Sequence, residues 1–250
     1  MYWMTFCSAA TLLIAAAVQP ATADDLDVCL QRSRDDAIAA CNRLVALNPK
    51  DPDVYLIRGA AYVLKGDDDR AIADYDQAIR LDPKNAYAYG ARGEIQRNKG
   101  NYDRAISDED QAIQLNPKWS TAYYTRARAY KDKGDYDRNI ADLDQAIELN
   151  PKFAAAYNSR GDTYIHKGDY DRAISDANEA IRLDPKSAVA YATRGEAYEA
   201  KNDPDHALAD FDQALKLEPS LVGARQGRER VQGLLTKRLN PGAQTNSPAR

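Results

Sequence analysis

The chain is short of the side chains that most often carry chemistry: its 250 residues include two histidines, three cysteines and two methionines. His166 and His206 stand apart, with no cysteine or carboxylate set at metal-ligand spacing, so no metal site is expected. The 13 glycines are spread singly and are not gathered into a phosphate-cradling loop. The apolar run over residues 5–18 is shorter than the roughly 20 residues a membrane-spanning helix needs. Excess positive charge is lacking too. The formal net charge is −4, and because residues 222–250 carry six basic side chains against one acidic, residues 1–221 stand at −9. A body so acidic repels phosphate backbones, so nucleic acid is not an expected partner. With no catalytic constellation and no cofactor motif, neither an enzyme nor a bound cofactor is expected.

What the chain has in abundance is repetition. Gly59, Gly93, Gly161 and Gly195, with Ala127 in the remaining slot, return every 34 residues inside an aromatic frame. The first full copy reads Tyr55, Arg58, Gly59 and Tyr62, then Ala71, Tyr75, Ala78 and Pro83; the last reads Tyr191, Arg194, Gly195 and Tyr198, then Ala207, Phe211, Ala214 and Pro219. Spacings of i, i+4 and i+7 in each half predict two amphipathic helices per copy. Gly66 suits the left-handed end of the first helix, and Asp67 is placed to cap the second, with Asn101, Asp135, Asp169 and Asp203 recurring at that position. The second helix stops where a proline follows, as at Asp82-Pro83 and Asn116-Pro117, because the residue before proline is pushed out of the helical region. A hairpin of this size cannot bury its apolar face alone and must stack on its own copies.

This layout resembles the tetratricopeptide repeat, in five copies at residues 52–85, 86–119, 120–153, 154–187 and 188–221. The resemblance implies an all-α fold, a right-handed α-solenoid of stacked helix-turn-helix repeats. A partial repeat at residues 24–51 and a capping helix at 222–239 would close its ends, with a disordered tail at 240–250. One departure from the family pattern is systematic. Arginine replaces leucine before the glycine in every copy, at Arg58, Arg92, Arg126, Arg160 and Arg194, and an aspartate follows at a fixed distance, at Asp74, Asp108, Asp142, Asp176 and Asp210. A ladder of Arg–carboxylate pairs along the stack is therefore expected. Gln96, Glu109 and Asn139 interrupt the apolar pattern. They read as soft spots in the array, or as places where a polar partner group is met.

The ends carry different signals. Residues 1–23 contain no charged side chain and finish in Ala21-Thr22-Ala23, which reads as a secretory signal peptide with mature protein from Asp24; an uncleaved anchor or a misplaced start is the alternative. Export to the periplasm or beyond would leave no integral membrane segment after cleavage. It would also leave Cys29 and Cys41 as an even pair in an oxidising compartment. The repeat register puts them on facing helices, so a structural disulfide is expected, with two free buried thiols or a redox pair as rivals.

The resemblance also implies a function. Tetratricopeptide arrays bind peptide segments or partner proteins in a concave groove lined by the first helix of each unit, which makes this chain a candidate protein-binding scaffold. Self-association through the ends of the stack is a further possibility. Carried over by position, the candidate partner-binding residues are Leu56 and Val63 in the first copy, Tyr87, Glu94 and Arg97 in the second, and Tyr124, Arg128 and Lys131 in the third. Asn158 and Asp162 follow in the fourth, Glu196 and Glu199 in the fifth. They divide the groove into an apolar start, a centre rich in aromatic and basic residues and an acidic end. Tyr124 and Arg128 are the expected hot spots.

Overall fold

A computed structural model describes residues 28–29 and 37–239. The expected signal peptide and tail lie outside the described residues. Among those described there are twelve helices and no strand: α1 (Ala37–Leu47), α2 (Pro52–Leu64), α3 (Asp68–Leu81), α4 (Ala86–Asn98), α5 (Tyr102–Leu115), α6 (Ser120–Asp132), α7 (Tyr136–Leu149), α8 (Ala154–His166), α9 (Tyr170–Leu183), α10 (Ala188–Ala200), α11 (Pro204–Leu217) and α12 (Val222–Leu239). The architecture is an all-α solenoid. It divides into two compact units, one ending at Pro83 and the other beginning at Lys84.

In the first unit α1 packs on α2, and α2 pairs with α3 as a hairpin. Cys29 and Cys41 are joined in a disulfide, with their Cα atoms 5.1 Å apart. Both are fully buried among Ala40, Leu44, Val54 and Ala61. The bridge thus belongs to a packed core, as expected of a structural crosslink.

In the second unit four hairpins follow one another, α4/α5, α6/α7, α8/α9 and α10/α11, each second helix packing on the first helix of the next copy and α11 on α12. The turns are built from the predicted residues. Gly66, Gly100, Gly134 and Gly168 have φ between 73° and 79°, and Asn202 takes that left-handed place in the last copy with φ 61°. Asp67, Asp135, Asp169 and Asp203 accept the N–H three residues on and cap their helices. Asn101 does not. Its side-chain amide donates to Gln96 Oε1 at 2.9 Å, so the polar residue at position 96 draws away the cap.

The core is made of complementary sizes. A Cβ on Gly59 would lie 2.7 Å from the Tyr75 ring, and one on Gly195 would lie 3.0 Å from the Phe211 ring. Where the ring gives way to Leu143, the facing residue is Ala127. Phe211 is also met from the far side by Gly227 of α12, whose Cβ would fall 2.4 Å from ring carbon Cζ. Gly227→Ala is expected to force α12 off its seat and cost about 1–3 kcal/mol. Faster amide exchange confined to α11 and α12 would register it.

The expected arginine ladder is present in every copy. Arg58 donates to Asp74 through Nε (2.8 Å) and Nη2 (2.6 Å), and Arg92–Asp108, Arg126–Asp142, Arg160–Asp176 and Arg194–Asp210 repeat this two-pronged geometry. The aspartates are buried and each guanidinium lies over a tyrosine of its own helix, as Arg126 does over Tyr123. The remaining nitrogen reaches the preceding hairpin: Arg126 Nη1 donates to Asp110, Arg160 Nη1 to Asp144 and Arg194 Nη1 to Asn178, each at 2.6 Å. In the first unit Arg58 meets Asn42 in the same way at 2.9 Å. Arg228 of α12 occupies the next ladder position and is bonded to Asp212. One side chain therefore closes its own hairpin and fastens it to the one before.

Of the two expectations for Asn139, a soft spot or a place where polar groups are met, the second holds. The Asn139 amide donates to the Ala127 carbonyl at 2.8 Å, and its oxygen accepts from Thr163 at 2.7 Å. A buried amide with both ends satisfied ties α7 to α6 and α8.

Candidate functional site

The candidate residues stand on the first helices. In the second unit they lie on α4, α6, α8 and α10, where helices of successive copies present equivalent faces. Glu94 and Arg97, one turn apart on α4, are bonded to each other at 3.2 Å. From α6, Arg128 Nη1 donates to Glu94 Oε1 at 2.9 Å, while Arg97 Nη1 donates back to Asp132 at 2.7 Å. Lys131 pairs with Asp162 on α8. On α10, Glu199 receives both prongs of Arg230 from α12, at 2.9 and 2.8 Å. Glu196 takes part in no such pair; burial pushes its carboxyl up, and the Asp162 charge adds to the effect.

These pairings revise the expected three-sector groove. Arg97, Arg128 and Lys131 each already hold a carboxylate of this chain, so the centre is a network of both signs and not a basic sector. The physical reason is register: a residue on one first helix faces the residue about one repeat away on the next. Arg230 belongs to the same surface. The capping pattern of α12 does not by itself show that Arg230 reaches Glu199, since the two residues lie on different helices 31 positions apart.

Aromatic residues share this face. Tyr124 packs against Phe153 with ring centroids 4.9 Å apart, and the Arg128 guanidinium lies 5.8 Å from the Tyr124 ring centre. Tyr87, half exposed, stacks on Trp119 at 6.3 Å. Beside that pair is a cavity of about 170 Å³, lined by Gly90, Ala91, Glu94, Glu109, Thr121 and Thr125 together with the two rings. Asn158 has its side-chain oxygen buried without a hydrogen-bond partner. In the first unit Leu56 is buried, so its side chain serves packing there, while Val63 is exposed. His166 stacks on Tyr136 and His206 on Tyr198, where His206 also meets Asp203. Among the described residues no group of side chains could hold a metal ion.

Family models of the tetratricopeptide repeat match residues 59–100, 86–118, 124–188 and 188–221. Among solved structures, MamA is 31% identical, with 64% of this chain and 94% of that one aligned at a TM-score of 0.58. This chain is a tetratricopeptide-repeat protein. Other solved structures share the fold at lower identity. YrrB, described as a tetratricopeptide protein with an unusual peptide-binding site, is 24% identical over 77% of this chain and 100% of that one, at a TM-score of 0.59. PilF of Pseudomonas aeruginosa is 14% identical over 82% and 94%, at 0.71. A comparison with curated protein sequences returns no match.

Within the tetratricopeptide frame two departures stand out. The ladder arginine replaces the family's leucine and turns an apolar contact into a buried fork. Glu109 stands where the other copies place Tyr75, Leu143, Ala177 and Phe211, all of them buried and none charged. Among the described residues no helix is long and apolar enough to cross a membrane.

Proposed function

We propose that this array is a non-catalytic scaffold that holds a peptide segment or partner protein against the face of its first helices. One contrast supports the reading. The Arg–Asp fork is the same in all five copies, whereas the equivalent groove position, buried in none of them, holds Val63, Arg97, Lys131, Ile165 and Glu199 in turn. A uniform frame with a varied face suits recognition. Tyr124 and Arg128 form the natural anchor, an aromatic ring with a cation beside it. The signal-like residues 1–23 and the buried Cys29–Cys41 bridge favour an exported protein that works as an envelope adaptor or assembly factor. Full burial of both sulfurs argues against thiol exchange as the activity.

Photo-crosslinking from position 124 in intact cells is the direct test. A captured partner should be lost when Arg128 and Lys131 are replaced by alanine, with a loss of tenfold or more for a hot spot. Capture that survives these changes would move the binding face elsewhere.

A further inference from the structure

The cavity beside Tyr87 and Trp119 is bordered by two carboxylates whose bare oxygens packing does not explain. Glu109 is 1% exposed, and neither of its carboxylate oxygens has a hydrogen-bond partner. Glu94, on the same cavity, has Oε2 buried and equally unpartnered, its other oxygen being held by Arg97 and Arg128. Buried polar groups are nearly always satisfied, and a carboxylate left bare in apolar surroundings costs several kcal/mol. Space is present because volume is missing. Where the first copy has Leu56 and Tyr75, the second has Gly90 and Glu109, and Trp119 leans over Gly90, its ring 2.9 Å from where a Cβ would stand.

We propose that this cavity is a subsite for a lysine side chain of the partner, its ammonium received by Glu109 and Glu94. The inference rests on the scaffold reading above and specifies what the second and third copies would recognise. An unbranched four-carbon stem suits the walls formed by Tyr87, Trp119 and Ala91, and aromatic rings favour a cation beside them. The oxygens select ammonium over guanidinium. Glu109 Oε1 is turned to Gly93, 3.2 Å from its would-be Cβ, while Oε2 is turned to Gly90 on the cavity side. One free oxygen from each of two carboxylates on different helices serves a point-like donor, whereas an arginine fork is matched best by two parallel oxygens of one carboxylate.

Glu109 is surrounded by Glu94 from α4, Asp108 beside it on α5 and Arg126 from α6. Burial is the leading cause that raises its pKa to about 8; the neighbouring Thr125 hydroxyl opposes it, as does Arg126, while Glu94 and Asp108 add to it. Thr125 is committed to the main-chain carbonyls of Thr121 and Ala122, at 3.0 and 3.1 Å, which leaves the Glu109 oxygens without a well-formed bond. The empty site therefore keeps a proton at neutral pH and must release it to receive an ammonium. Lysine binding then strengthens as pH rises towards 8.

The test uses the full chain and three capped tripeptides, Ala-Lys-Ala, Ala-norleucine-Ala and Ala-Arg-Ala, titrated by calorimetry with the Trp119 indole followed by NMR. The lysine peptide is expected to bind at least tenfold more tightly than norleucine, to beat arginine, to shift the indole signal and to gain at least tenfold between pH 6 and pH 8. Glu109→Gln, which keeps shape, should abolish the preference and the pH dependence; Glu94→Gln should weaken binding by about half an order of magnitude. Equal binding of norleucine, a preference for arginine, or a lysine preference that persists in Glu109→Gln would overturn the subsite. Should the peptides fail while crosslinking at position 124 still captures a partner, the scaffold reading stands and the lysine subsite falls. Failure of both would remove the scaffold reading as well.

Discussion

Glu109→Leu is expected to make the protein more stable, by about 3 kcal/mol at pH 8. Leucine is what the third copy carries in this slot, as Leu143, fully buried. The substitution removes a carboxyl without partners and returns apolar volume to a cavity. The gain should depend on pH. An unfolded chain releases the Glu109 proton near 4.5, whereas the folded protein keeps it to about 8. Between those values the folded state binds more protons, so stability falls as pH rises through the window and the loss is complete above it. About 3.5 pH units at 1.36 kcal/mol each put the full effect on the order of 5 kcal/mol. Urea titrations of the parent chain at pH 5 and pH 8 should show this slope, and both Glu109→Leu and Glu109→Gln should flatten it. A parent stability that does not change across the window would show that water or a local rearrangement already satisfies the carboxyl.

The opposite result is expected at the ladder. Asp142→Lys should cost 4 kcal/mol or more, because it removes the anion that two Arg126 nitrogens share and sets a second cation in the same buried place. The control is Asp144, two residues on. Asp144 also meets an arginine at 2.6 Å, but its side chain is 55% exposed, so Asp144→Ala should cost less than about 1 kcal/mol. The same chemistry at nearly the same distance thus separates by burial. Equal effects from the two substitutions would mean that the fork is not desolvated. Melting temperature and amide exchange in α6 and α7 are the measurements that decide.

Much of the fold was legible because repetition reports packing: whatever returns every 34 residues at helical spacing must face the same neighbour each time. Arg58 to Arg194 and Asp74 to Asp210 were readable as partners on that ground alone. Their second attachment was harder to see, although its signal was present as Asp108 with Asp110 and Asp142 with Asp144, a side-chain oxygen acceptor two residues after each ladder aspartate, which in the fourth copy is the amide of Asn178. Departures from the period were ambiguous. Asn139 and Glu109 both read as polar intrusions, yet one is fully bonded and the other bare, because the outcome hangs on Thr163 and Gly90 in a neighbouring helix and not on the residue itself. Groove charges were misread for a related reason. Position could assign Arg97, Arg128 and Lys131 to one face, but only the offset between copies shows that Glu94, Asp132 and Asp162 reach them first.

The two-way arginine has an evolutionary corollary. Arg126 and Arg160 each find one acid 16 residues ahead and another 16 behind. Excising the unit at 120–153 or at 154–187 would offer the following arginine an equivalent acid, Asp110 or Asp144, so the seam heals itself. Gene segments coding for such units can be lost, duplicated or reshuffled without redesigning the joints, and the length of the binding face becomes something recombination can adjust.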